Sequence, residues 1–214
     1  MKDAEVNSDW DIYDSHIQRL VSRYNDFLAG KGGYVPLDWH LIKAMIWVET
    51  GVLYEQGKPW KTMPMQIGNL GDPGLHDLLI NPNRKLVVLP ELWPRFTKAK
   101  ITSDPYINIE AGTSLLFLRM AHFGLVEVHE SPTRIKGKRA SKPSSSHSVI
   151  GGRSNQHHRP RPKKVVAIIG WRPFTPPMVY MRYNQGDECY ARKLSYCLEL
   201  MHLIEENGRP KLTQ

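Results

Sequence analysis

Apolar residues recur at helical spacing in two stretches near the start of the chain. The first stretch ends before Gly30 and is typical of an amphipathic packing helix; its apolar positions are Ile12, Ile17, Leu20, Val21, Tyr24 and Leu28. The second stretch runs from Asp38, a residue suited to an N-cap, to Gly51, a residue suited to a C-cap. We therefore expect a packing helix over 10–28 and a shorter helix over 38–51.

The longest predicted helix lies in the middle of the chain. Asp104 and Pro105 supply an N-cap and a first helical residue, and apolar positions continue to Gly124. A glycine inside a helix costs about 1 kcal/mol relative to alanine, so Gly112 indicates that another backbone approaches closely there. We expect this helix to be the most buried one of the fold.

Shorter elements complete the prediction. The β-branched runs 126–130 and 165–169 can pair as the base of a long hairpin, and the stretch 84–89 fits either a strand or a helix. Further helices are expected over 75–80, over 90–96, from Pro176 onward and over 187–207. The predicted fold class is mainly α with a small β component.

One carboxylate has an unusual position in this pattern. Counted from Ile42, the residues Met45, Ile46 and Glu49 share one face of the second helix, so a glutamate lies on the apolar side. Burial disfavours the ionised form, and so does the negative end of the helix dipole. Glu49 is therefore predicted to donate a proton near neutral pH, unless its side chain turns out to solvent past the helix end.

The positive charge of the chain is concentrated in one segment. The 214 residues carry a formal charge of +8 and are 41% hydrophobic, which is enough for one domain with a core. Residues 131–164 contain ten Lys and Arg and no Asp or Glu, which leaves −2 for the rest of the chain. We predict a domain built from 1–130 and 165–214, with a basic low-complexity insertion at 131–164. The insertion is interpreted as a flexible solvated loop, with a tether to an anionic polymer as the alternative.

Several other classes receive no support from the composition. No apolar run approaches the roughly 20 residues that span a bilayer, and the acidic, polar N-terminus does not resemble a secretory signal. Two cysteines, Cys189 and Cys197, are too few for a disulfide framework, and on one helix they would lie about 12 Å apart. The histidines show no metal-site spacing. We therefore expect neither a metal nor a cofactor.

Four short motifs occur in order along the chain: VETG at 48–51, PMQIGN at 64–69, NIEAGTSLL at 108–116 and RYNQG at 182–186. Together they resemble the soluble lytic transglycosylase family of lysozyme-like domains, from about Leu37 to Leu200 without the basic insertion. In that family a helix ends in Glu-Ser, a Gly-Leu-Met-Gln stretch follows, an Asn-Ile helix packs behind, and Ala-Tyr-Asn-x-Gly closes the site. The resemblance implies a lysozyme-like helical domain.

Three positions depart from the family pattern. Thr50 stands where serine is usual, Met63 and Pro64 stand where Gly-Leu is usual, and Arg182 stands where alanine is common. None of these changes removes a group that the chemistry needs.

The resemblance implies cleavage of the β-1,4 bond between N-acetylmuramic acid and N-acetylglucosamine in peptidoglycan. Glu49 would protonate the glycosidic oxygen and then accept the proton of the muramoyl 6-hydroxyl as it closes onto C1, which gives a 1,6-anhydro product. Tyr183 would hydrogen-bond near Glu49 and the sugar, and Met65 would line the floor of the cleft. The substrate-binding residues expected from the resemblance are Thr50, Met65, Gln66, Tyr183 and Asn184.

Alternatives remain open for these residues. Asp72 or Glu55 could supply a second acid, which would favour simple hydrolysis, since glycosidases with two catalytic carboxyls hold them roughly 5 to 9 Å apart. Tyr183 could be a core tyrosine, and the amides of Gln66 and Asn184 could bond the loop backbone instead of a sugar. Trp60 and Trp93 either stack on sugar faces or pack against the core.

The sequence also leaves the biological setting to be inferred. The implied substrate lies outside the bacterial inner membrane and no export signal is visible, so we expect delivery to the periplasm or cell wall by a non-Sec route. An injected antibacterial effector or a phage lysis protein would fit, and an immunity or inhibitor protein that plugs the cleft is an expected partner of the former. The competing hypotheses are a non-catalytic peptidoglycan-binding module and a nucleic-acid binder that uses residues 131–164.

Overall fold

The computed structural model describes residues 8–50, 59–69, 71–128, 162–184 and 186–208. The chain divides into a larger unit, Met1–Gly124 with Ala167–Gln214, and a smaller unit, Leu125–Val166. In the described part of the smaller unit, Lys164 Nζ lies 4.0 Å from Glu127 Oε1. Most of the predicted insertion falls outside the described residues.

The described residues are mainly helical with one small antiparallel sheet of two strands, which confirms the predicted fold class. The α-helices are α1 (Asp14–Leu28), α2 (Trp39–Glu49), α3 (Pro59–Thr62), α4 (Pro73–Ile80), α5 (Arg84–Val87), α6 (Lys98–Ser103), α7 (Pro105–Met120), α8 (Pro176–Arg182) and α9 (Tyr190–Asn207). Short 3-10 helices occupy Ser8–Asp11 and Pro90–Arg95, and the strands are β1 (Ala121–Val128) and β2 (Lys163–Trp171). Within these residues, no helix has the length and apolar character that crossing a membrane requires.

Helix α2 begins and ends close to the predicted positions. The Asp38 carboxylate accepts a hydrogen bond of 3.0 Å from the backbone N–H of His40, which confirms Asp38 as the N-cap. The helix is anchored at its middle by the buried Lys43, whose Nζ lies 2.6 Å from Asp11 Oδ1 and 2.7 Å from Asp14 Oδ2. These bonds fix the axis of the helix that carries Glu49.

Helix α7 is the centre of the core, as predicted. Of its 16 residues 13 are buried, against 7 of 11 in α2. Tyr24 of α1 stacks on Phe117 of α7 with ring centroids 4.5 Å apart, and its hydroxyl lies 2.6 Å from Ser114 Oγ. Helix α7 therefore provides the buried surface against which other helices pack.

The predicted end of α7 was wrong. The helix was expected to reach Gly124, but Ala121 leaves the helical conformation with φ −70° and ψ 142°, and β1 begins there. The reason is tertiary, because residues from Ala121 onward pair with β2 and the carbonyl of Met120 accepts a hydrogen bond of 2.9 Å from Arg172. The ambiguous stretch 84–89 forms helix α5 at its start.

Candidate active site

Glu49 is the last residue of α2. The next residue, Thr50, is buried, and its Oγ1 donates a hydrogen bond of 2.6 Å to the carbonyl of Ile46. The Thr50 hydroxyl therefore satisfies a carbonyl at the helix end, and Thr50 does not line the cavity described below. The Glu49 side chain is half-buried and opens onto that cavity.

The cavity has a volume of about 660 Å³, within the range of about 300 to 1,000 Å³ that is usual for ligand sites. All four motifs contribute side chains to its wall, although they lie far apart in the sequence. The predicted site residues that line it are Glu49, Met65, Gln66, Tyr183 and Asn184. Asp72, Leu115, Arg119 and Arg182 also belong to the wall.

The electrostatic surroundings of Glu49 favour its neutral form. Burial raises the pKa of Glu49 from 4.5 to about 7, and hydrogen bonding from Tyr190 and Asn184 opposes that rise only in part. The Asn184 Nδ2 donates to Glu49 Oε1 at 3.4 Å, while the carboxylates of Asp72 and Asp187 push the pKa up further. A carboxyl group with this pKa is present in both protonation states at neutral pH, so it can both give and take a proton.

Two tyrosine hydroxyls are buried close to Glu49. The pKa values of Tyr183 and Tyr190 are raised well above the ordinary value, first by burial and then by the charge of Glu49. Neither hydroxyl has a partner of regular hydrogen-bond geometry among the described residues, although Tyr190 lies near enough to lower the pKa of Glu49. Tyr183 thus lies near the acid without a regular hydrogen bond to it. Tyr190 was not predicted, because it is the first residue of α9, outside the motif that contains Tyr183, and no helical spacing connects the two.

Asn108, which opens the third motif, holds the cavity floor from behind. Its Oδ1 accepts a hydrogen bond of 2.8 Å from the backbone N–H of Met65. Its Nδ2 donates to the carbonyls of Ile67 at 2.9 Å and Ile101 at 3.0 Å. Because Asn108 is fully buried, the bonds to Met65 and Ile67 clamp residues 65–67 against α7, and the bond to Ile101 ties α6 to the same helix.

Gly112 makes room for that floor. A Cβ built at Gly112 would lie 2.6 Å from the Cβ of Met65, which is closer than real Cβ contacts. The sequence predicted that another backbone would approach Gly112 closely. The group that approaches it is the side chain of Met65, not a backbone. Met65 is only 1% exposed, so it shapes the floor mainly by packing.

Gln66 holds the same loop through its side-chain amide. Its Nε2 donates to the carbonyl of Met63 at 2.9 Å, and its Oε1 accepts from Asn69 Nδ2 at 2.7 Å. The backbone of Gln66 has φ 53°, in the left-handed region that non-glycine residues seldom occupy. Backbone strain of this kind concentrates at functional sites and is maintained by surrounding contacts, which the amide supplies here.

Asp72 lies in the cavity wall, but its carboxylate is committed to the backbone. Its Oδ1 accepts from the N–H of Gly74 at 2.7 Å and its Oδ2 accepts from the N–H of Gly68 at 2.7 Å. Asp72 therefore caps α4 and ties the floor loop to that helix. Glu55, the other possible second acid, lies outside the described residues.

Arg119 is a wall residue that sequence reasoning missed. Its Nη1 donates to the carbonyls of Arg182 at 3.3 Å and Tyr183 at 3.0 Å, and its Nε lies 3.6 Å from Asp77 Oδ2. The guanidinium thereby fixes the end of α8, where Tyr183 and Asn184 enter the site. The sequence signal that could have found it is helical spacing. Arg119 lies three turns after Asn108 on the same face of α7.

The two tryptophans considered for sugar stacking pack elsewhere. Trp60 stacks on Trp10 with ring centroids 5.2 Å apart. Trp93 donates from Nε1 to the carbonyl of Val88 at 3.2 Å. Neither residue lines the cavity.

Within the described residues no cluster of three or more His, Cys, Asp or Glu side chains could hold a metal ion. The fold and site thus define a mainly helical protein with a cavity centred on one glutamate. Comparisons with protein-family models, with curated proteins and with solved structures gave no match to this chain. The resemblance to lytic transglycosylases therefore depends on the four motifs alone.

Proposed function

We propose that this protein is a lytic transglycosylase that cleaves peptidoglycan with Glu49 as its single catalytic carboxyl group. The observation that carries the proposal is the half-buried carboxyl of Glu49, with its pKa raised to about 7, in the wall of a 660 Å³ cavity. Three neutral groups near Glu49 support the same function: the amide of Asn184 and the hydroxyls of Tyr183 and Tyr190. Because they carry no charge, they do not fix the acid in one protonation state.

The proposed reaction needs one group that acts first as an acid and then as a base. Neutral Glu49 donates its proton to the glycosidic oxygen as the bond from C1 to that oxygen breaks. Ionised Glu49 then takes the proton of the muramoyl 6-hydroxyl as the bond from O6 to C1 forms, so that no water is consumed. The Asn184 amide donates to Glu49 Oε1 and stabilises the ionised state between the two steps.

Hydrolysis by a muramidase is the alternative within the same class. It requires a second group that activates water, and Asp72 is the described carboxylate in the cavity wall that could do so. Both Asp72 oxygens already accept backbone N–H groups, which favours the transglycosylase reaction.

The proposal also implies a place of action. Peptidoglycan lies outside the bacterial inner membrane, so the protein would act in the periplasm or cell wall. We propose that it is a secreted antibacterial effector, for which an immunity or inhibitor protein that covers the cavity is the expected partner.

Digestion of purified sacculi tests the proposal. We expect the wild-type protein to release muropeptides with 1,6-anhydro ends, which mass spectrometry distinguishes from reducing ends by the mass of one water. Glu49→Gln is expected to slow release by about 10²-fold or more, the usual contribution of a general acid. Glu110→Gln is a matched control, since Glu110 is a buried glutamate that does not line the cavity.

Other outcomes assign other functions. Reducing ends would favour the muramidase, and binding to sacculi without soluble products would favour a binding module. Equal rates for the wild type and Glu49→Gln would remove Glu49 from the chemistry. Strong salt-dependent binding to DNA, lost on deletion of 131–164, would favour a nucleic-acid binder.

A further inference from the structure

The charged side chains in the cavity wall differ in how far they are already engaged. The wall contains Glu49, Asp72, Arg119 and Arg182. Asp72 uses both oxygens on backbone N–H groups, and Arg119 is bonded to two carbonyls and lies near Asp77. Glu49 accepts from Asn184 and is the proposed acid.

Arg182 is the exception. Its side chain is exposed, and its guanidinium makes no hydrogen bond or ion pair with any described residue. Another cation lies within electrostatic range of it, since the pKa of Arg172 is lowered first by burial and then by the charge of Arg182. Arg182 therefore offers the cavity a guanidinium group that no described carboxylate engages in an ion pair.

The backbone of Arg182 is nevertheless held in place. Its carbonyl accepts a hydrogen bond of 3.3 Å from Arg119, and the next carbonyl, that of Tyr183, accepts from the same guanidinium at 3.0 Å. The Arg182 guanidinium thus extends toward the cavity from a backbone position that is held by hydrogen bonds, one residue before Tyr183.

We propose that Arg182 binds a carboxylate of the substrate and so selects acidic glycan strands over neutral ones. The inference rests on the proposed function, because it names what that cavity distinguishes. The planar guanidinium can donate two parallel hydrogen bonds to a carboxylate, which an alanine at this position could not do. Peptidoglycan offers such carboxylates on its stem peptides, or on its lactyl groups where the stem peptide is absent, whereas a strand of N-acetylglucosamine offers none.

Binding measurements in a Glu49→Gln background test this inference without turnover. The ligands are peptide-free glycan strands with free lactyl carboxylates, the same strands converted to carboxamides, peptide-bearing strands and neutral N-acetylglucosamine tetramers. We expect Arg182→Gln to weaken binding of the carboxylate strands by about fivefold, the upper range for an exposed ion pair, and to leave carboxamide binding unchanged. Arg182→Lys should retain part of the difference, because it keeps the charge and loses the two-pronged geometry.

The matched control is Arg19→Gln, which removes an exposed arginine of α1 that does not line the cavity. It should alter no affinity, and thermal unfolding should show that every variant is folded. Higher salt should reduce the preference for carboxylate strands in the Glu49→Gln protein that retains Arg182. If peptide-free strands show the preference, the lactyl group is the ligand; if only peptide-bearing strands do, the stem peptide is.

The outcomes separate this inference from the proposed function. An unchanged ratio of carboxylate to carboxamide affinity in Arg182→Gln overturns the role of Arg182, whether or not the wild type cleaves sacculi. A changed ratio together with no cleavage product supports Arg182 and overturns the transglycosylase. No binding of any strand overturns the role of Arg182, and together with no cleavage of sacculi by the wild type it overturns both.

Discussion

Glu49 and Glu110 are both glutamates on helices and both are shielded from solvent, Glu49 in part and Glu110 almost fully, yet their surroundings differ. Glu110 is 2% exposed in the middle of α7, where its Oε1 lies 2.8 Å from Arg95 Nη1 and 3.8 Å from His16 Nε2. Glu49 lies at a helix end, faces a cavity and is bonded to a neutral amide. Burial is the largest influence on the pKa of each and raises it, but at Glu110 the Arg95 guanidinium opposes that rise.

Burial alone therefore does not distinguish a catalytic acid from a structural one. A glutamate with a cationic partner and no adjacent space contributes to packing between helices. A glutamate with neutral partners and an open cavity can exchange a proton with a ligand. Three changes test whether this difference holds in the protein.

The largest expected effect comes from loosening the cavity floor beneath Glu49. Asn108→Ala leaves the Met65 N–H and the carbonyls of Ile67 and Ile101 without partners in a buried place. We expect the free energy of unfolding to fall by about 3 kcal/mol, as measured by urea denaturation, and wall digestion to fall with it. The floor loop would no longer be held against α7.

Ser114→Ala is the matched control on the other face of α7. It removes the bond to the Tyr24 hydroxyl, so it should cost about 1 kcal/mol and leave digestion unchanged once the protein is folded. Asn108→Ala with the stability of the wild type would contradict the proposed clamp.

The second effect concerns pH. The pKa of Glu49 is about 7 in the folded protein against 4.5 ordinarily, so folding favours the protonated form. This contribution to stability is fully present below about pH 4.5 and is lost as pH rises through 7. By linkage, the free energy of unfolding should fall by about 2 kcal/mol between pH 5 and pH 8. Unfolding titrations of the wild type and of Glu49→Gln should therefore diverge over that range. Parallel curves for the two proteins would show that Glu49 titrates like an exposed glutamate.

The smallest effect is expected at the other glutamate. Glu110→Gln leaves Arg95 without its carboxylate, but the Arg95 side chain is 42% exposed and water can replace the lost partner in part. We expect a loss of about 1 kcal/mol in unfolding free energy at pH 7 and unaltered digestion. Arg23→Gln, which breaks the exposed pair with Glu91, is the comparison and should change stability by less than about 0.5 kcal/mol. Digestion as slow in Glu110→Gln as in Glu49→Gln would erase the distinction between the two glutamates.

Local chemistry made part of this structure predictable. Asp38 and Asp104 cap helices where the sequence places them, because a short acceptor side chain before an apolar stripe is a sufficient signal. The apolar face of α2 predicted that Glu49 would be shielded, and Glu49, Gln66, Tyr183 and Asn184, which the motifs singled out, line one cavity.

Features decided by distant contacts could not be predicted in this way. The residues after Met120 are compatible with a helix, and only their pairing with β2 makes them a strand. Arg119 and Tyr190 act on the site through groups that the fold brings near, the carbonyl of Tyr183 and the carboxyl of Glu49. No periodicity in the chain specifies which backbone atom an arginine will reach.

The contact between Gly112 and Met65 constrains how these positions can vary in evolution. The overlap at 2.6 Å is with the Cβ of residue 65 itself, so shortening the methionine to alanine would not relieve it. A side chain at 112 becomes compatible with this backbone only when residue 65 has none. Substitution of Gly112 is therefore blocked until residue 65 becomes glycine, so the constraint runs from position 65 to position 112.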